Sequence, residues 1–357
     1  MKTRLQNIRL RLMSAVLAAL GAAILFGAST PFAKHLVGEI SPLLLAGLLY
    51  LGSGIGLLLT RLIKDRGWRA SGLCGKEWLW FGSAIGFGGI MGPALLMFGL
   101  TLSNAASASL LLNLEAVLTA VLAWVVFKES TDRRIILGMF LIVAGGLVLA
   151  YPHHTTGTQS WRGTLSIAGA CLCWAIDNNL TRKISGSDTL FIAGNKGLVA
   201  GIVNTSLALS LGMTLPTWSS INFALWVGFL GYGISLVLFV LALRGLGTAR
   251  TGAYFSTAPF IGAAIAILFF HDAASLQFWI AALFMAIGVG IHLAERHEHQ
   301  HTHEPLFHTH YHTHDEHHQH EHDWECDPIK PHSHPHQHQT ITHSHPHYPD
   351  IHHTHKH

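Results

Sequence analysis

The sequence predicts an all-α integral membrane protein with ten transmembrane helices, arranged as two inverted five-helix repeats and followed by a disordered His-rich tail. Three observations carry this prediction: the apolar composition, the alternation of basic loops, and a repeat in the apolar pattern. Half of the 357 residues are hydrophobic and 11% are charged, whereas soluble domains carry about 25% charged residues. The composition therefore excludes an ordinary soluble protein, which would need an unusually large core at this length.

Ten apolar runs follow one another, and each can cross the roughly 30 Å apolar core of a bilayer at about 1.5 Å per residue. The predicted spans are 14–34, 42–60, 78–101, 105–127, 134–151, 163–183, 189–211, 221–243, 250–270 and 275–294. The first run follows a basic segment, as in a secretory signal, but its apolar residues continue to Val37 and similar runs follow. We therefore expect it to be retained as the first helix.

Basic residues are concentrated in alternate loops. The N-terminus and the loops after spans 2, 4, 6 and 8 are rich in Lys and Arg, whereas the opposite loops hold Lys34 and Arg162. The positive-inside rule then predicts a multi-pass protein of the inner (plasma) membrane with both termini in the cytoplasm. The lipid bilayer is thus the first predicted partner.

The two halves of the apolar pattern correspond to each other. Residues 98–129 align without a gap on residues 241–272, 143 positions later, which places Glu129 on Asp272. Because five spans precede the loop 151–162 and five follow it, two copies would be inverted in the membrane. Many secondary transporters are built in this way, with the substrate near the midplane between the halves. The predicted domains are a first repeat at 14–151, a second at 163–294, and a tail at 295–357.

Small residues and prolines mark places where the spans could pack closely or bend. In span 3, glycines recur four positions apart at Gly82 and Gly86 and at Gly88 and Gly92. This spacing lets helices approach closely, either in static packing or on a surface that slides during alternating access. Pro93 and Pro259 are expected to break or kink their spans.

Four segments together carry a family resemblance. They read LFGASTPFAKHL…GEISPLLLAGLLY, ALLMFGLTLSNAASASLLLNLEAVLTAVLAWVVFKES, GTLSIAGACLCWAIDNNLTRKIS and LALRGLGTARTGAYFSTAPFIGAAIAILFFHD. In these segments the chain resembles two EamA-type domains of the drug/metabolite transporter superfamily, over about residues 14–294. The resemblance implies ten helices and ion-gradient-driven or facilitated transport, usually the export of a small molecule.

The resemblance also implies a small-residue stretch, a helix that contains proline, and a closing acidic residue. Glu129 and Asp272 hold the acidic place in the two halves. Pro259 holds the family proline in the second half, but Ala116 replaces it in the first. This departure leaves open whether span 4 bends as span 9 does. The motifs identify the superfamily without naming a substrate.

Polar side chains inside the spans are the candidate path for a substrate or ion. The predicted path residues are Asn113, Glu115, Asp177, Asn178, Asn179, Asn195, Lys196, Tyr254 and Ser256. Ionisable groups inside a membrane usually face the bundle interior and pair with one another. Glu115, Asp177 and Lys196 therefore allow two interpretations: an ion pair that fixes helix packing, or a carboxylate that carries a proton or binds a cation. Glu115 is the first choice as carrier, and Asp177 is expected to reach water in part.

The repeat predicts an asymmetric site. At the interval of 143 residues, Ser256 corresponds to Asn113, but Ala258 takes the place of Glu115. We therefore expect the Glu115 carboxylate to face the neutral side chains of Ser256 and Tyr254, or a charged side chain of spans 6 and 7. Aromatic residues at corresponding positions of spans 1 and 6, Phe26 and Trp174, either pack or line the path.

The tail is polar, of low complexity and interrupted by proline, and is therefore predicted to be disordered. It holds 23 of the 28 histidines, many of them at every second position. Neutral imidazole binds nickel, cobalt, copper and zinc, so we expect no tightly bound cofactor but a divalent transition metal (Ni, Co or Zn) on the tail. The predicted ligands are His297, His299, His301, His303, His308, His310, His312, His314, His317, His318, His320, His322, His332, His334, His336, His338, His343, His345 and His347. A metal buffer unrelated to transport, a pH-responsive cationic tail and a compositional accident stay open as alternatives.

These features predict efflux of a divalent transition metal, with nickel or cobalt as first choice, coupled to protons and loaded by the tail. An alternative in the same fold class is export of a small organic metabolite or drug, with the tail as buffer or sensor. An alternative from another class is a non-transporting protein for metal storage or sensing. The sequence contains no phosphate loop, nucleophile elbow or HExxH motif, so we expect no enzyme. Nucleic acid is not an expected partner, and a homodimer is left open.

Overall fold

The structure is a computed structural model of the chain, and it describes the backbone of the following segments. These are residues 2–65, 73, 75–127, 133–151, 161–182, 184, 188–246, 251, 254–293, 298–303, 307–312, 332–337 and 341–346. The chain divides near residue 295 into a helical unit and a second unit that contains four strands.

The helical unit is built from α-helices and two π-helical segments. The α-helices are α1 Lys2–Val37, α2 Pro42–Asp65, α3 Glu77–Ala84, α4 Gly92–Thr101, α5 Ala105–Leu111, α6 Leu114–Phe127, α7 Arg133–Ala150, α8 Trp161–Arg182, α9 Thr189–Ser210, α10 Trp218–Gly228, α11 Ser235–Leu246, α12 Ala258–Phe270 and α13 Leu276–Leu293. The π-helical segments are π1, Ile85–Met91, between α3 and α4, and π2, Phe229–Ile234, between α10 and α11.

Six helical stretches in the described part of the chain are long and apolar enough to cross a membrane. They are Met13–Val37, Pro42–Asp65, Glu77–Thr101, Ala105–Val126, Leu190–Ser210 and Trp218–Ala242. Three shorter apolar helices cover Ile136–Ala150, Ala258–Phe270 and Leu276–Ile291. Helix α8 has 22 residues, but Asp177, Asn178 and Asn179 lower its hydropathy. The all-helical character of this unit is confirmed, whereas the number of ten spans stays a prediction.

The helices of the unit pair across the two halves of the chain. Helix α2 packs along α9, and α7 packs along α13. Helix α8 contacts α4, α6 and π1, whereas α1 contacts α11, α12 and π2. The elements that α1 contacts begin 143 or 144 residues after those that α8 contacts: α11 after α4, α12 after α6, and π2 after π1. The packing therefore follows the interval of the sequence repeat, and the inversion of the repeats stays a prediction.

The glycines of span 3 divide into two kinds. The backbone N–H of Gly92 bonds to the carbonyl of Phe87, a five-residue π turn, and Pro93 follows without an N–H of its own. A Cβ on Gly88 would collide with the Asp177 carboxylate, and one on Gly92 would lie 2.8 Å from Trp174 Nε1. At the other pair, Gly82 and Gly86, an added Cβ would meet nothing within 4 Å. Close helix approach thus accounts for the second glycine pair and not for the first.

Spans 4 and 9 are both interrupted in the middle. In the first half, α5 ends at Leu111 and α6 begins at Leu114. In the second half, a turn at residues 256–257 follows helical residues 254–255, and α12 begins at Ala258. The break in span 4 therefore forms without the proline that the family pattern has there.

Side chains that bond back to the preceding turn explain both breaks. Asn113 Nδ2 donates to the Leu110 carbonyl at 3.0 Å, and Thr257 Oγ1 donates to the Tyr254 carbonyl at 2.6 Å. Such side chains compete with the helical backbone bonds and favour a turn. Thr257 is therefore the structural counterpart of Asn113, 144 residues later. The sequence alignment predicted Ser256 as this counterpart, and the structure corrects it by one residue.

The second unit contains four strands in the tail, which was predicted to be disordered. They are β1 Glu298–His303, β2 Phe307–His312, β3 His332–Gln337 and β4 Ile341–Pro346. Strand β1 pairs antiparallel with β4, and β2 pairs antiparallel with β3. The alternation of histidine with other residues has a period of two, which is the period of a strand. The predicted disorder of the tail as a whole stays a prediction.

Candidate functional site

The C-terminal third of α8 makes two polar contacts at consecutive residues. Asn178 Nδ2 donates to Glu115 Oε1 on α6 at 2.9 Å. Asp177 forms an ion pair with Lys196 on α9, and its second oxygen accepts from Thr181 Oγ1 at 3.0 Å. We call Glu115, Asp177, Asn178 and Lys196 the α8 polar cluster. The fold thus brings together four of the predicted path residues from three helices.

Glu115 occupies the second position of α6, directly after the break in span 4. The first turn of a helix has unpaired backbone N–H groups and the positive end of the helix dipole, both of which favour a carboxylate. The Glu115 side chain is half-buried, and its partner Asn178 is exposed. This pair is therefore the accessible part of the cluster.

Asp177 and Lys196 form the enclosed part of the cluster. Asp177 is 5% exposed and lies against Gly88 of π1, so the prediction that it reaches water is wrong. The pair corresponds to the interpretation of an ion pair that fixes helix packing, because it holds α8 against α9 beside π1. Glu115 is held by a neutral amide instead of by Lys196.

The other predicted asparagines donate to the preceding turn of their own helices. Asn179 Nδ2 donates to the Ala175 carbonyl at 2.8 Å, and Asn195 Nδ2 donates to the Phe191 carbonyl at 2.9 Å. Asn179 Nδ2 also lies 3.4 Å from the Thr119 carbonyl on α6. Asn113 closes the turn described above. These amides stabilise local backbone. Tyr254 and Ser256 lie at the break in span 9, and the partner that the structure gives Glu115 is Asn178 on α8.

The π1 segment accepts side-chain donors that the sequence analysis did not predict. The Gly88 carbonyl accepts from Tyr50 Oη at 2.9 Å and from Trp174 Nε1 at 3.0 Å. Asn204 Nδ2 lies 3.4 Å from the Gly89 carbonyl, also in π1. Irregular backbone at membrane depth is tolerated where neighbouring side chains satisfy it. The available sequence signal was the glycine cluster before Pro93, which marks irregular backbone but not its donors.

Aromatic rings surround the same region. Phe26 packs on Tyr232 and Phe255, with ring centroids 5.9 and 5.3 Å apart. Tyr50 and Tyr232 are 5.6 Å apart. Trp174 is buried, and its N–H is committed to Gly88. Phe26 and Trp174, the corresponding aromatic residues of spans 1 and 6, therefore both pack against neighbours. The indole N–H of Trp174 also donates to a backbone carbonyl of π1.

One ion pair joins the two halves at the ends that the sequence places on the cytoplasmic side. Arg61 Nε of α2 lies 2.8 Å from Asp188 Oδ2, and its guanidinium lies 5.2 Å from the centre of the Phe191 ring. Partial burial raises the pKa of the Asp188 carboxyl, but the Arg61 guanidinium and the first amides of α9 outweigh it and hold the pKa below its ordinary value. We call this contact the Arg61 closure.

Other contacts join the ends that the sequence places on the opposite side. Ser220 Oγ donates to Glu39 Oε2 at 2.6 Å. Asp272, the acidic residue that closes span 9, accepts from the backbone N–H of Ala106 at 3.0 Å, in the first turn of α5. Each contact joins ends assigned to one side, which agrees with the alternation of basic loops. Glu129, the counterpart of Asp272, lies outside the described residues.

Candidate metal ligands are distributed unevenly. Within the described part of the chain, no group of three or more His, Cys, Asp or Glu side chains is placed to hold a metal ion. In the tail, the strands contain the predicted ligands His299, His301, His303, His308, His310, His312, His332, His334, His336, His343 and His345. The predicted ligands His297, His314, His317, His318, His320, His322, His338 and His347 lie outside the described residues.

Comparisons with known proteins agree with this architecture. The profile of the EamA-like transporter family matches residues 13–151 and again residues 161–293. An uncharacterized transporter of Methanothermobacter thermautotrophicus strain Delta H is 27% identical over 290 residues, which cover 76% of this chain and 83% of the relative. The uncharacterized transporter YyaM of Bacillus subtilis strain 168 is 27% identical over 259 residues, which cover 68% of this chain and 81% of YyaM.

A solved crystal structure shares the fold. It superposes with a TM-score of 0.59 at 19% sequence identity, over 78% of this chain and 95% of the solved one. At this identity the likeness concerns the fold alone.

Proposed function

The chain belongs to the EamA-like transporter family of the drug/metabolite transporter superfamily, and we propose that it is a proton-coupled secondary transporter that exports a divalent transition metal. Membership in the family and the apolar helices make it a multi-pass membrane protein. Nickel or cobalt is the proposed cargo, and the cytoplasmic tail is proposed to capture it.

The single observation that carries this proposal is the position of Glu115. Its carboxylate begins a half-helix in the middle of a span and accepts from the exposed amide of Asn178. Transporters commonly bind their ions where a span is broken, because the exposed helix ends offer dipoles and free backbone groups. Asp177 is already neutralised by Lys196, so Glu115 is the acid of the cluster that is available for exchange.

Glu115 can couple a proton to a cation because the two compete for the same oxygens. A protonated carboxyl is neutral and crosses the low-dielectric part of the transport cycle at little cost, whereas an unpaired carboxylate is expensive there. A divalent cation replaces the proton, with the Asn178 amide turning its oxygen toward the ion. Carboxylate and amide oxygens bind nickel or cobalt more weakly than imidazole does, which suits passage rather than storage.

Alternating access would use contacts on the two sides of the cluster. The Arg61 closure joins the halves on one side, and the contacts of Glu39 and Asp272 join them on the other. Opening one set while the other stays formed exposes Glu115 to one side at a time. The correspondence of packing between the halves supports inverted repeats that rock about the cluster.

The tail supports a metal as cargo through its composition and its predicted side. It holds 23 of the 28 histidines, and imidazole is a preferred ligand for nickel, cobalt and zinc. The positive-inside rule assigns the tail to the cytoplasm, where an exporter loads.

A second candidate is the export of a small organic molecule, with the tail as a metal buffer or sensor. The rings of Phe26, Tyr50, Tyr232 and Phe255 favour it, because aromatic surfaces suit apolar ligands better than ions. A protein that stores or senses metal through the tail alone is the third candidate. It would have no use for Glu115 at a break in a span.

Cellular metal content separates these candidates. Nickel, cobalt and zinc are measured in cells that express the full protein, a version cut after Ala294, Glu115→Gln, or Glu77→Gln as an acid-to-amide control at the start of α3. We expect the full protein and Glu77→Gln to lower nickel or cobalt and Glu115→Gln to lose this effect. Unchanged or raised metal in every strain contradicts metal export. Loss of metal tolerance on truncation, but not in Glu115→Gln, favours storage.

A further inference from the structure

Thr119 is a polar residue of α6 that lies beside the α8 polar cluster. It follows Glu115 by four positions, so both side chains lie on the same face of the helix. The Asn178 amide of α8 faces both of them, since its Nδ2 lies 2.9 Å from Glu115 Oε1 and 3.4 Å from Thr119 Oγ1. The backbone carbonyl of Thr119 lies 3.4 Å from Nδ2 of the neighbouring Asn179. Thr119 therefore meets two consecutive amides of α8.

The equivalent place in the second half is closed by glycines. At the interval of 144 residues, Ala263 of α12 corresponds to Thr119, and Pro259 corresponds to Glu115. A Cβ on Gly262 would lie 2.6 Å from the Gly27 carbonyl of α1, so α12 and α1 meet there backbone to backbone. The contact of a hydroxyl with an amide is thus found at the break that carries the carboxylate. This placement favours a role of Thr119 in the site over a role in helix packing.

The two acceptors on α6 fix the direction in which the Asn178 amide points. An amide group has N–H donors on one side and an acceptor oxygen on the other, and it turns about its last side-chain torsion. Nδ2 carries two hydrogens, one for the Glu115 carboxylate and one for the Thr119 hydroxyl oxygen. The reverse orientation would place the amide oxygen against a carboxylate oxygen. Asn178 is exposed, so its amide can turn without displacing packed side chains.

We propose that Thr119 is a positioning residue that controls the turn of the Asn178 amide between the empty and the loaded site. In the empty site its hydroxyl holds Nδ2 toward Glu115. A cation at Glu115 needs the amide oxygen instead, so loading breaks the contact with Thr119 and release restores it. The identity of the cargo rests on the proposed function, whereas the hold of Thr119 on the amide does not.

Thr119→Val keeps the branched shape of the side chain and removes the hydroxyl. The empty site then loses a stabilising contact that the loaded site does not have, so loading becomes easier and the return of the amide becomes slower. Nickel transport by the full-length protein in proteoliposomes measures both effects. We expect the half-saturating nickel concentration and the maximal rate each to fall about threefold, because a long hydrogen bond between neutral groups lies at the lower end of the usual range.

Two further variants test whether the hydroxyl is responsible. Thr119→Ser should restore both values, because it returns the hydroxyl. Thr205→Val makes the same change at a buried α9 hydroxyl that has no partner within the described part of the chain, and it should leave both values unchanged. A packing role for Thr119 predicts the reverse order, with Thr119→Ser impaired and Thr119→Val normal. That order, or unchanged values in Thr119→Val, would overturn the proposal.

A second measurement needs no cargo. Thr119→Val, Asn178→Ala and their combination are compared by thermal unfolding of the full-length protein in metal-free detergent. If Thr119 acts through the amide, Thr119→Val lowers the Tm of the wild type and has no further effect in combination with Asn178→Ala. Losses that add would contradict the proposal, since Thr119 would then act independently of Asn178.

The two measurements separate this proposal from the proposed function. If the wild type does not transport nickel and the losses in Tm are non-additive, the nickel cargo fails and the hold of Thr119 on the amide stands. If nickel transport is lost in Glu115→Gln while Thr119→Val is normal in both measurements, the proposed function stands and the role of Thr119 fails.

Discussion

The two broken spans reach the same geometry with different residues. Asn113 directly precedes α6 and Thr257 directly precedes α12, and each side chain donates to a carbonyl three residues earlier. The second residue of the following half-helix is Glu115 in the first case and Pro259 in the second. Proline and acidic residues are both favoured in the first turn of a helix, for different reasons. The first half thus places a carboxylate at this position. The second half places a proline there, whose ring fixes the backbone at the start of the helix.

The helices that face these breaks differ in the same way. By the correspondence of Phe26 with Trp174, Asp177 and Asn178 of α8 match Ser29 and Thr30 of α1. Gly88 packs on Asp177 just as Gly231 packs on Ser29, whose Cβ lies 2.5 Å from where a Gly231 Cβ would be. The backbone is therefore shared between the two broken spans and the helices that face them, while the charged groups lie at only one of the two breaks, where Glu115 faces Asp177 and Asn178.

Exchanging the two residues after the breaks is the strongest test of this comparison. Glu115→Pro with Pro259→Glu keeps one acid and one proline but moves the acid opposite Ser29 and Thr30. We expect transport to be lost, because the moved carboxylate no longer meets Asn178. Nickel efflux from loaded proteoliposomes under a proton gradient measures it, with Pro259→Ala as the control that should retain activity. Full activity in the exchanged protein would mean that the halves are equivalent.

The enclosed ion pair offers a test on stability. Asp177→Asn should lower the free energy of unfolding by about 3–5 kcal/mol, because it leaves the Lys196 charge without its partner away from water. Asp177→Leu with Lys196→Met should recover most of this loss. Thermal unfolding in detergent reports both. An equal loss in the single and double variants would contradict the structural role of the pair.

The glycines of span 3 test the close packing. Gly88→Ala should destabilise the protein by about 1–3 kcal/mol, because its Cβ collides with the Asp177 carboxylate and forces π1 away from α8. The Cβ of Gly86→Ala would meet no atom within 4 Å, so this variant should change stability by less than about 0.5 kcal/mol. Similar losses in both variants would mean that helix propensity or lipid contact decides the effect.

Acid should reduce the contribution of the Arg61 closure to the free energy of unfolding by a small amount. Because the folded-state pKa of Asp188 lies below its ordinary value of about 3.9, the carboxylate stabilises the fold above that value and loses its contribution as pH falls through the lowered pKa. The contribution should not exceed about 1 kcal/mol, since Asp188 is partly exposed. The stability difference between wild type and Asp188→Asn should be constant from pH 7 to 5 and shrink below pH 4. A difference that grows on acidification would contradict the pairing.

The sequence was sufficient for the helical character, which depends on composition and periodicity along the chain, and for the family, which four segments of the chain resemble. It identified Glu115, Asp177, Asn178 and Lys196 as candidates, since charge in an apolar span is visible in one dimension. It did not identify their partners, because pairing Asp177 with Lys196 and Glu115 with Asn178 depends on how α8 is rotated between α6 and α9. The break in span 4 was left open because a proline was sought, whereas Asn113 makes the turn.

The tail shows the same limit in a simpler form. Alternating histidines were visible in the sequence and were attributed to a disordered chain, because each short segment is too polar to bury a core. The pairing of β1 with β4 joins residues 38 to 48 positions apart and therefore leaves no local signal.

The Gly88 carbonyl has a mechanical consequence. It accepts from Tyr50 on α2 and from Trp174 on α8 at once, so both helices are fastened to a single oxygen atom. In lipid, no water replaces either bond when it breaks. Separating either helix from π1 at this depth would therefore leave a buried donor of Tyr50 or Trp174 without its acceptor, so the Gly88 carbonyl fixes α2 and α8 at a common point.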